Sequence, residues 1–342
     1  MFRRLTPSAD LPGFFSRFGA KGARHVAGTL REIAAHKVTG TRFALDATTA
    51  GFVRPDLAWP AYAGLVPSDG LSPIYHFFDR TNGGRAFSGK ITRGAARDYR
   101  GGQLTYDEHD GTDFVCPAGT QVVASAPGVL VAVRDRFLRG GLTACVDHGG
   151  VVTQYTHLAK VTAEIGQPLL RGEALGLSGH AGFDMIIGFP WVPPHVHFMA
   201  WVLGQPVDPY VRPDEDEHAA TWIARNDPLP AAGPIEGDPK PIAIDDVQVD
   251  RAAIERVTRM CTDRTIAREI EAAPHFATRA ALIEDSLHHD RHVWPDAAQR
   301  IDLRPHGARD RVRLSLPLTA SEYRGSRVSD APWTRPARRS GS

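Results

Sequence analysis

Cysteine is scarce: Cys116, Cys145 and Cys261 are the three in 342 residues. They stand too far apart for a disulfide framework or for a zinc site built on paired cysteines. They are expected to be reduced, structural thiols, with Cys116 nearest to a polar cluster described below. Charge of one sign is missing as well. Lys plus Arg number 40 against 39 Asp plus Glu, so no net field recruits nucleic acid or an anionic membrane. No apolar run approaches the roughly 18 to 20 residues that cross a bilayer, and no transmembrane segment is expected. The opening "MFRRLTPSADLPGFFSRFGAKG" has basic residues but no apolar core of about 7–15 residues ahead of a small-residue cleavage site. Cytoplasm is the default reading. There is no Gly-x-Ser-x-Gly of a serine hydrolase, and "NGGRAFSGK" lacks the strand, glycine loop and helix that cradle phosphate.

What is present is a chain 42% hydrophobic and 23% charged, long enough for a full core and more than one unit. Residues 1–100 read as an extension, helical and then loop-rich. Val26, Leu30, Ile33, Ala34 and Val38 recur at helical spacing, and "DRTNGGRAFSGK" signals a hairpin turn among loops rather than helices. Residues 101–212 change texture to short β-branched runs broken by glycine, "TQVVASAPGVLVAVRD", "LTACVDHGGVVTQYTHL", "EIGQPLLRGEALGLSG" and "HVHFMAWV", the pattern of an antiparallel β domain. Residues 213–245, with proline-rich "RNDPLPAAGPIEGDPKP", read as a linker or extended wrap. Residues 246–322 form a mainly helical unit. Ile254, Val257, Met260 and Cys261 keep helical spacing, a second helix spans "FATRAALIEDSLHH", and a strand follows at "RVRLSLPL". The basic, proline-containing residues 323–342 read as disordered. The fold class expected is a mainly β domain, antiparallel sheet or sandwich, with α-helical extensions at both ends, α+β overall.

In a strand, side chains two apart share a face, so His195 and His197 of "WVPPHVHFMAW" project together while Val196 and Phe198 enter the opposite layer. By itself the pair reads equally as a hydrogen-bonded structural couple or as metal ligands. In "YDEHDGTDFVCPAGT", His109 and Asp113 also share parity, and Asp107, Glu108 and Asp110 around them read as a solvated acidic turn. His109, Asp113 and His197 together make a two-nitrogen, one-oxygen set that suits Zn²⁺ in a site keeping a fourth position open. His157 ends a predicted strand after Tyr155, a place where a lone histidine is more often structural. His288 and His292 share a helical face but lack a third ligand and read as a solvated helix end. His148, before Gly149 and Gly150, reads as surface, and His180 is ambiguous.

"HDGTD", "GTQVVASAPGVLVAV", "VDHGGVVTQYTHL", "IGQPLLRGEALGLSG", "HVHF" and "GQPVDP" follow the order and spacing of the lysostaphin-like, LytM-type zinc metallopeptidases, which cut peptide cross-links in bacterial cell walls. The chain resembles that family over residues 101–212. The resemblance implies a compact antiparallel β domain with a groove across one sheet and one zinc ion held by His109, Asp113 and His197. It also implies catalytic roles for His195, as general base, and for His157, as donor to the oxyanion or leaving amine. Peptidoglycan peptides are the implied substrate, and the periplasm or cell envelope the implied compartment, against the cytoplasmic default. A protein partner is expected through the terminal extensions. Two departures bear on this. "HAGFDMIIGFPWVPP" is longer and more apolar than the family's Gly- and Ser/Thr-rich connection, so Phe183, Met185, Ile186, Ile187, Phe189 and Trp191 either line the groove or pack against the extensions. Tyr155, Phe189 and Trp191 are the candidate groove residues, with a packed strand aromatic the stronger reading of Tyr155. Met199 stands where the family commonly shows an acidic residue. The rival functions are a non-catalytic wall-binding or regulatory module of the same fold, and a cytoplasmic metallopeptidase or amidase with another substrate.

Overall fold

The computed structural model describes residues 1–6, 8–19, 22, 27, 53–80, 109–137, 140–211, 215, 221–305 and 312–329. The helix expected around Val26 to Val38 and most of the "DRTNGGRAFSGK" turn lie outside them. Strand β1 (Phe2–Arg4) pairs antiparallel with β2 (Leu65–Pro67). The main sheet contains β3 (Leu71–Ile74), β4 (Thr112–Val115), β5 (Gln121–Val123), β6 (Gly128–Arg136), β7 (Gly141–Asp147), β8 (Val151–Val161), β9 (Pro168–Leu169), β10 (Ala174–Ser178), β11 (His195–Val202), β12 (Gln205–Val207) and β13 (Gly325–Val328). Its main path runs β13-β3-β4-β11-β8-β7-β6-β9, with β10 joining β5 to β8 and β12 hairpinned on β11. All these pairings are antiparallel except β13 on β3. The mainly β class therefore holds.

Helices mark where apolar spacing changes from two to three or four. Helix α1 (Pro55–Tyr62) lies in a stretch expected to be loops. Pro55 at the first position suits a helix start, and Gly64, at φ 74°, follows its end; Pro60, inside the helix, is the breaker that hid it from the pattern. Helix α2 (Phe183–Gly188) occupies the apolar insertion. The periodic run after residue 250 is two helices, α3 (Arg251–Met260) and α4 (Arg264–Ala272). Asp250 caps α3 through Ala253 N at 2.9 Å, and Asp263 caps α4 through Thr265 N at 2.7 Å, so the second aspartate starts a new helix three residues after the first ends. Helix α5 (Phe276–His289) matches the expected span.

Two cores flank the sheet. Val196, Phe198 and Ala200 of β11 join Phe114, Leu130, Val146 and Leu158 in one. That core is closed from outside residues 101–212 by Ile74, Phe77, Trp222, Leu314, Leu316, Leu318 and Tyr323. Met199 and Trp201, with the opposite parity, join Val129, Val131 and Cys145 in the other, under Ile254, Val257, Ile270 and Ile283 of the helices. Residues 221–245 wrap rather than link, since Trp222 is fully buried and bridges Leu314. "RVRLSLPL" is extended but forms only isolated bridges, at Leu314 and Leu318, because its neighbours there are single residues of other segments. Part of the tail expected to be disordered, Gly325–Val328, is strand β13. All three cysteines are free and buried, and burial pushes the Cys116 thiol up to about 12.

Candidate metal centre

Register brings the polar residues together. In the β4–β11 ladder, His197 stands opposite Asp113 and His195 opposite Val115. Tyr75 N donates to Asp113 O at 2.8 Å and Asp113 N to His76 O at 2.9 Å, which runs residues 75–76 beside β4. His109 lies just before β4. His157 comes from β8, where four residues, Tyr155 to Leu158, span the interval that three residues, Ala144 to Leu142, span on β7. His157 has φ 63°, a left-handed conformation unusual for a side-chain-bearing residue. This bulge turns His157 toward His195, with ring centroids 4.7 Å apart.

The same bulge decides between the two readings of Tyr155 in favour of the packed strand aromatic. Strand parity alone would place it with His157, but Tyr155 is buried in the opposite core against Phe198, its hydroxyl accepting from Ser125 N at 2.9 Å. It does not line a groove. Phe189 and Trp191 are 43% and 44% exposed. Phe189 packs on Phe18 and Tyr62, and Trp191 on Trp59, so the insertion leans on the N-terminal elements. His148 also departs from expectation. It sits at the β7–β8 turn yet is buried, its Nδ1 at 3.0 Å from Pro127 O and its Nε2 at 2.8 Å from Thr153 Oγ1. His180 is buried against the Phe18 ring.

Around the centre the imidazoles are oriented by what their Nδ1 atoms meet. Nδ1 of His109 lies 2.9 Å from Phe77 O, that of His157 2.7 Å from Ala181 O, and that of His195 2.7 Å from Pro193 O. A carbonyl only accepts, so each Nδ1 donates and Nε2 is the ring atom left for other partners. Nε2 of His109 is 3.2 Å from Asp113 Oδ2, and Nε2 of His195 is 3.5 Å from Asp113 Oδ1. His197 is set differently: Nδ1 is 2.8 Å from Asp113 Oδ1 and Nε2 3.0 Å from Asp110 Oδ1. A lone pair facing a carboxylate oxygen at 3.2 Å is tolerated only with a cation between them, a proton or a metal ion. His109 Nε2 and His197 Nδ1 both face the Asp113 carboxylate, a two-nitrogen, one-oxygen set of the type that zinc takes.

Electrostatics agree. Burial holds the His195 imidazole down to about 3, so its ring is neutral. Burial alone would lower His197, but its hydrogen bonds to Asp110 and Asp113 push it up to about 10, marking where the site calls for positive charge. Burial works against ionising Asp113, yet His109 and His195 hold its carboxyl well below the usual range.

Five residues were not read from the sequence as neighbours of the centre. His76 places Nδ1 3.1 Å from Asp113 Oδ2, and its ligand atoms lie within 4.8 Å of those of His109 and Asp113. Asp184 of α2 stands 3.6 Å from His157 Nε2. Asp110 is not a solvated turn residue, and the end of α5 is not solvated, because His288 Nε2 meets Asp110 Oδ2 at 2.8 Å. His289, rather than His292, completes that group, at 3.3 Å. Met199 is apolar because it lies beneath the helical layer.

The description "Peptidase family M23" matches residues 107–209, the span holding His109, Asp113, His157, His195 and His197. These residues form an M23 domain of the LytM type. Within it the chain is 39% identical over 101 residues to the peptidoglycan DD-endopeptidase ShyA of Vibrio cholerae, covering 29% of this chain and 22% of that protein. It is 33% identical over 105 residues to the DD-carboxypeptidase/endopeptidase Mpg of Neisseria meningitidis, covering 31% and 23%. The chain thus spans under a quarter of the length of these two relatives. Among solved structures, LytU matches at 22% identity and a TM-score of 0.30, over 40% of this chain and 81% of that one. The lysostaphin catalytic domain of Staphylococcus simulans matches at 27% and 0.25, over 30% and 75%. The M23 domain ends short of both terminal segments that close its cores.

Proposed function

We propose that the chain is a zinc-dependent metalloendopeptidase that hydrolyses peptide bonds in peptidoglycan cross-links. The observation that carries the reading is Asp113, whose carboxylate gathers the Nε2 of His109 and the Nδ1 of His197 into a two-nitrogen, one-oxygen donor set. His109, Asp113 and His197 would hold one zinc ion, which when bound lowers the pKa of a water ligand toward about 7 and polarises a carbonyl. His195 has Nδ1 engaged by Pro193 O, which leaves Nε2 as the atom placed to accept the proton of the attacking water. His157, pinned by Ala181 O with its ring 4.7 Å from that of His195, serves the oxyanion or the departing amine. Both rings are buried, which keeps them oriented. Peptidoglycan as substrate is supported by the named activities of the relatives matched over the M23 domain.

The test combines metal analysis with digestion of purified sacculi and mass analysis of the products. Wild type should carry one zinc and release new amine termini. His195→Ala should keep the zinc and lose turnover by about 10²-fold or more. His109→Ala should lose the zinc. Wild type without stoichiometric zinc, or His109→Ala with unchanged zinc, overturns the reading. Zinc and muropeptide binding without new amine termini would instead mark a non-catalytic wall-binding module.

A further inference from the structure

The helix farthest along the chain from the M23 domain reaches into its centre. Asp110 is 3% exposed and spends both carboxylate oxygens on imidazoles. Oδ1 lies 3.0 Å from His197 Nε2, and Oδ2 lies 2.8 Å from His288 Nε2 and 3.3 Å from His289 Nε2. His288 and His289 are the last residues of α5. His289 is tied back to its own helix, Nδ1 standing 3.1 Å from both Asp285 O and Asp285 Oδ1, and the Trp201 ring packs edge-on to His288 at 4.9 Å. The helix is anchored along its length. Thr278 Oγ1 donates to Val131 O at 2.7 Å, Arg304 joins Glu284 to Asp147, and Arg134 and Arg136 of β6 pair with Asp285 and Asp290.

We infer that Asp110 and His288 are positioning residues for the zinc ligand His197, so that α5 is a working part of the centre. This rests on the metal reading above. A neutral imidazole has one N–H, and giving the Nε2 proton to Asp110 leaves the lone pair on Nδ1, toward Asp113. A carboxylate on the remote nitrogen also fixes the ring plane and raises the basicity of the ligating atom. Asp110 can hold this place only if it is itself held, since a buried carboxylate with an unsatisfied oxygen is costly. His288 supplies that donor from outside residues 107–209.

Wild type, Asp110→Ala, His288→Ala and His288→Gln are purified as full chains. Zinc stoichiometry and affinity are read by competition with a chromophoric chelator, and folding by circular dichroism. One zinc is expected in wild type, with affinity about 10-fold weaker in His288→Ala and up to about 100-fold weaker in Asp110→Ala. His288→Gln, which keeps an N–H donor near the Nε2 position, should recover most of the loss, and it carries the test if His288→Ala fails to fold. Affinities of Asp110→Ala and His288→Ala within two-fold of wild type overturn the inference. So do two ions in wild type and one in His288→Ala, which would make Asp110, His288 and His289 a second metal site. A wild type that binds no zinc removes the metal reading itself, an outcome distinct from the other two.

Discussion

Arg304 is the residue whose loss should most weaken the helical layer. It is fully buried, grips Glu284 with two N–H donors at 2.8 and 3.0 Å, and pairs with Asp147 on the sheet side. Asp147 is equally buried and spends its other oxygen on Gly149 N at 2.8 Å. Burial alone would lower the Arg304 pKa, but Asp147 and Glu284 outweigh it and raise it above its ordinary value. Arg304→Met keeps much of the volume and strands two carboxylates in a dry interface, a perturbation that costs about 3–5 kcal/mol. At roughly 2–4 °C per kcal/mol for a domain of about 150–250 residues, the melting temperature should fall on the order of 10 °C. The assay is urea and thermal unfolding followed by circular dichroism, with the triple variant R304M/E284Q/D147N alongside. Removing the stranded charges should return part of the loss, because an unpaired buried charge, rather than a missing bond, is its main cause. A loss under about 1 kcal/mol in Arg304→Met, or a triple variant no more stable than the single one, would refute the reasoning.

Gly111→Ala should disturb the centre without touching a ligand atom, since the added Cβ would lie 2.5 Å from Phe198 O and 2.9 Å from His197 Cε1. Prying β4 from β11 should cost about 1–3 kcal/mol and weaken zinc binding together; unchanged melting temperature and zinc affinity would contradict this. His148 should make the protein acid-sensitive. Burial holds its pKa down to about 4, below the roughly 6.5 of an unfolded histidine. The unfolded chain therefore binds more protons between those values, so stability is complete above about 6.5 and is lost as pH falls toward 4, by roughly 3 kcal/mol. His148→Gln should flatten that slope in a pH series of unfolding free energies; parallel curves would speak against it.

The alternation of "HVHFMAW" alone places His195, His197, Met199 and Trp201 on one face and Val196, Phe198 and Ala200 on the other, and both sets lie where the period puts them. The helical spacing of Ile254, Val257, Met260 and Cys261 was legible as well, but not the break after Met260, where Asp263 starts a second helix through a local bond. Period two failed at Tyr155 and His157, since one extra residue in β8 reverses the face between them and φ 63° at a histidine leaves no mark in composition. His76, Asp110 and His288 were hidden for another reason. Their partners lie 37, 87 and 178 residues away, and only the sheet register and the docking of α5 bring them together.

The parallel pairing of β13 with β3 has a practical consequence. Segments from both ends of the described chain meet at one sheet edge and seal the core with Ile74, Trp222, Leu314, Leu316 and Leu318, while α3 to α5 seal the other face. Excision at residues 107 and 209 would bare both apolar faces and remove the donor to Asp110. This M23 domain is thus not a portable module to be grafted onto another protein, and chimaeras that exchange catalytic domains would need to carry its flanks with it.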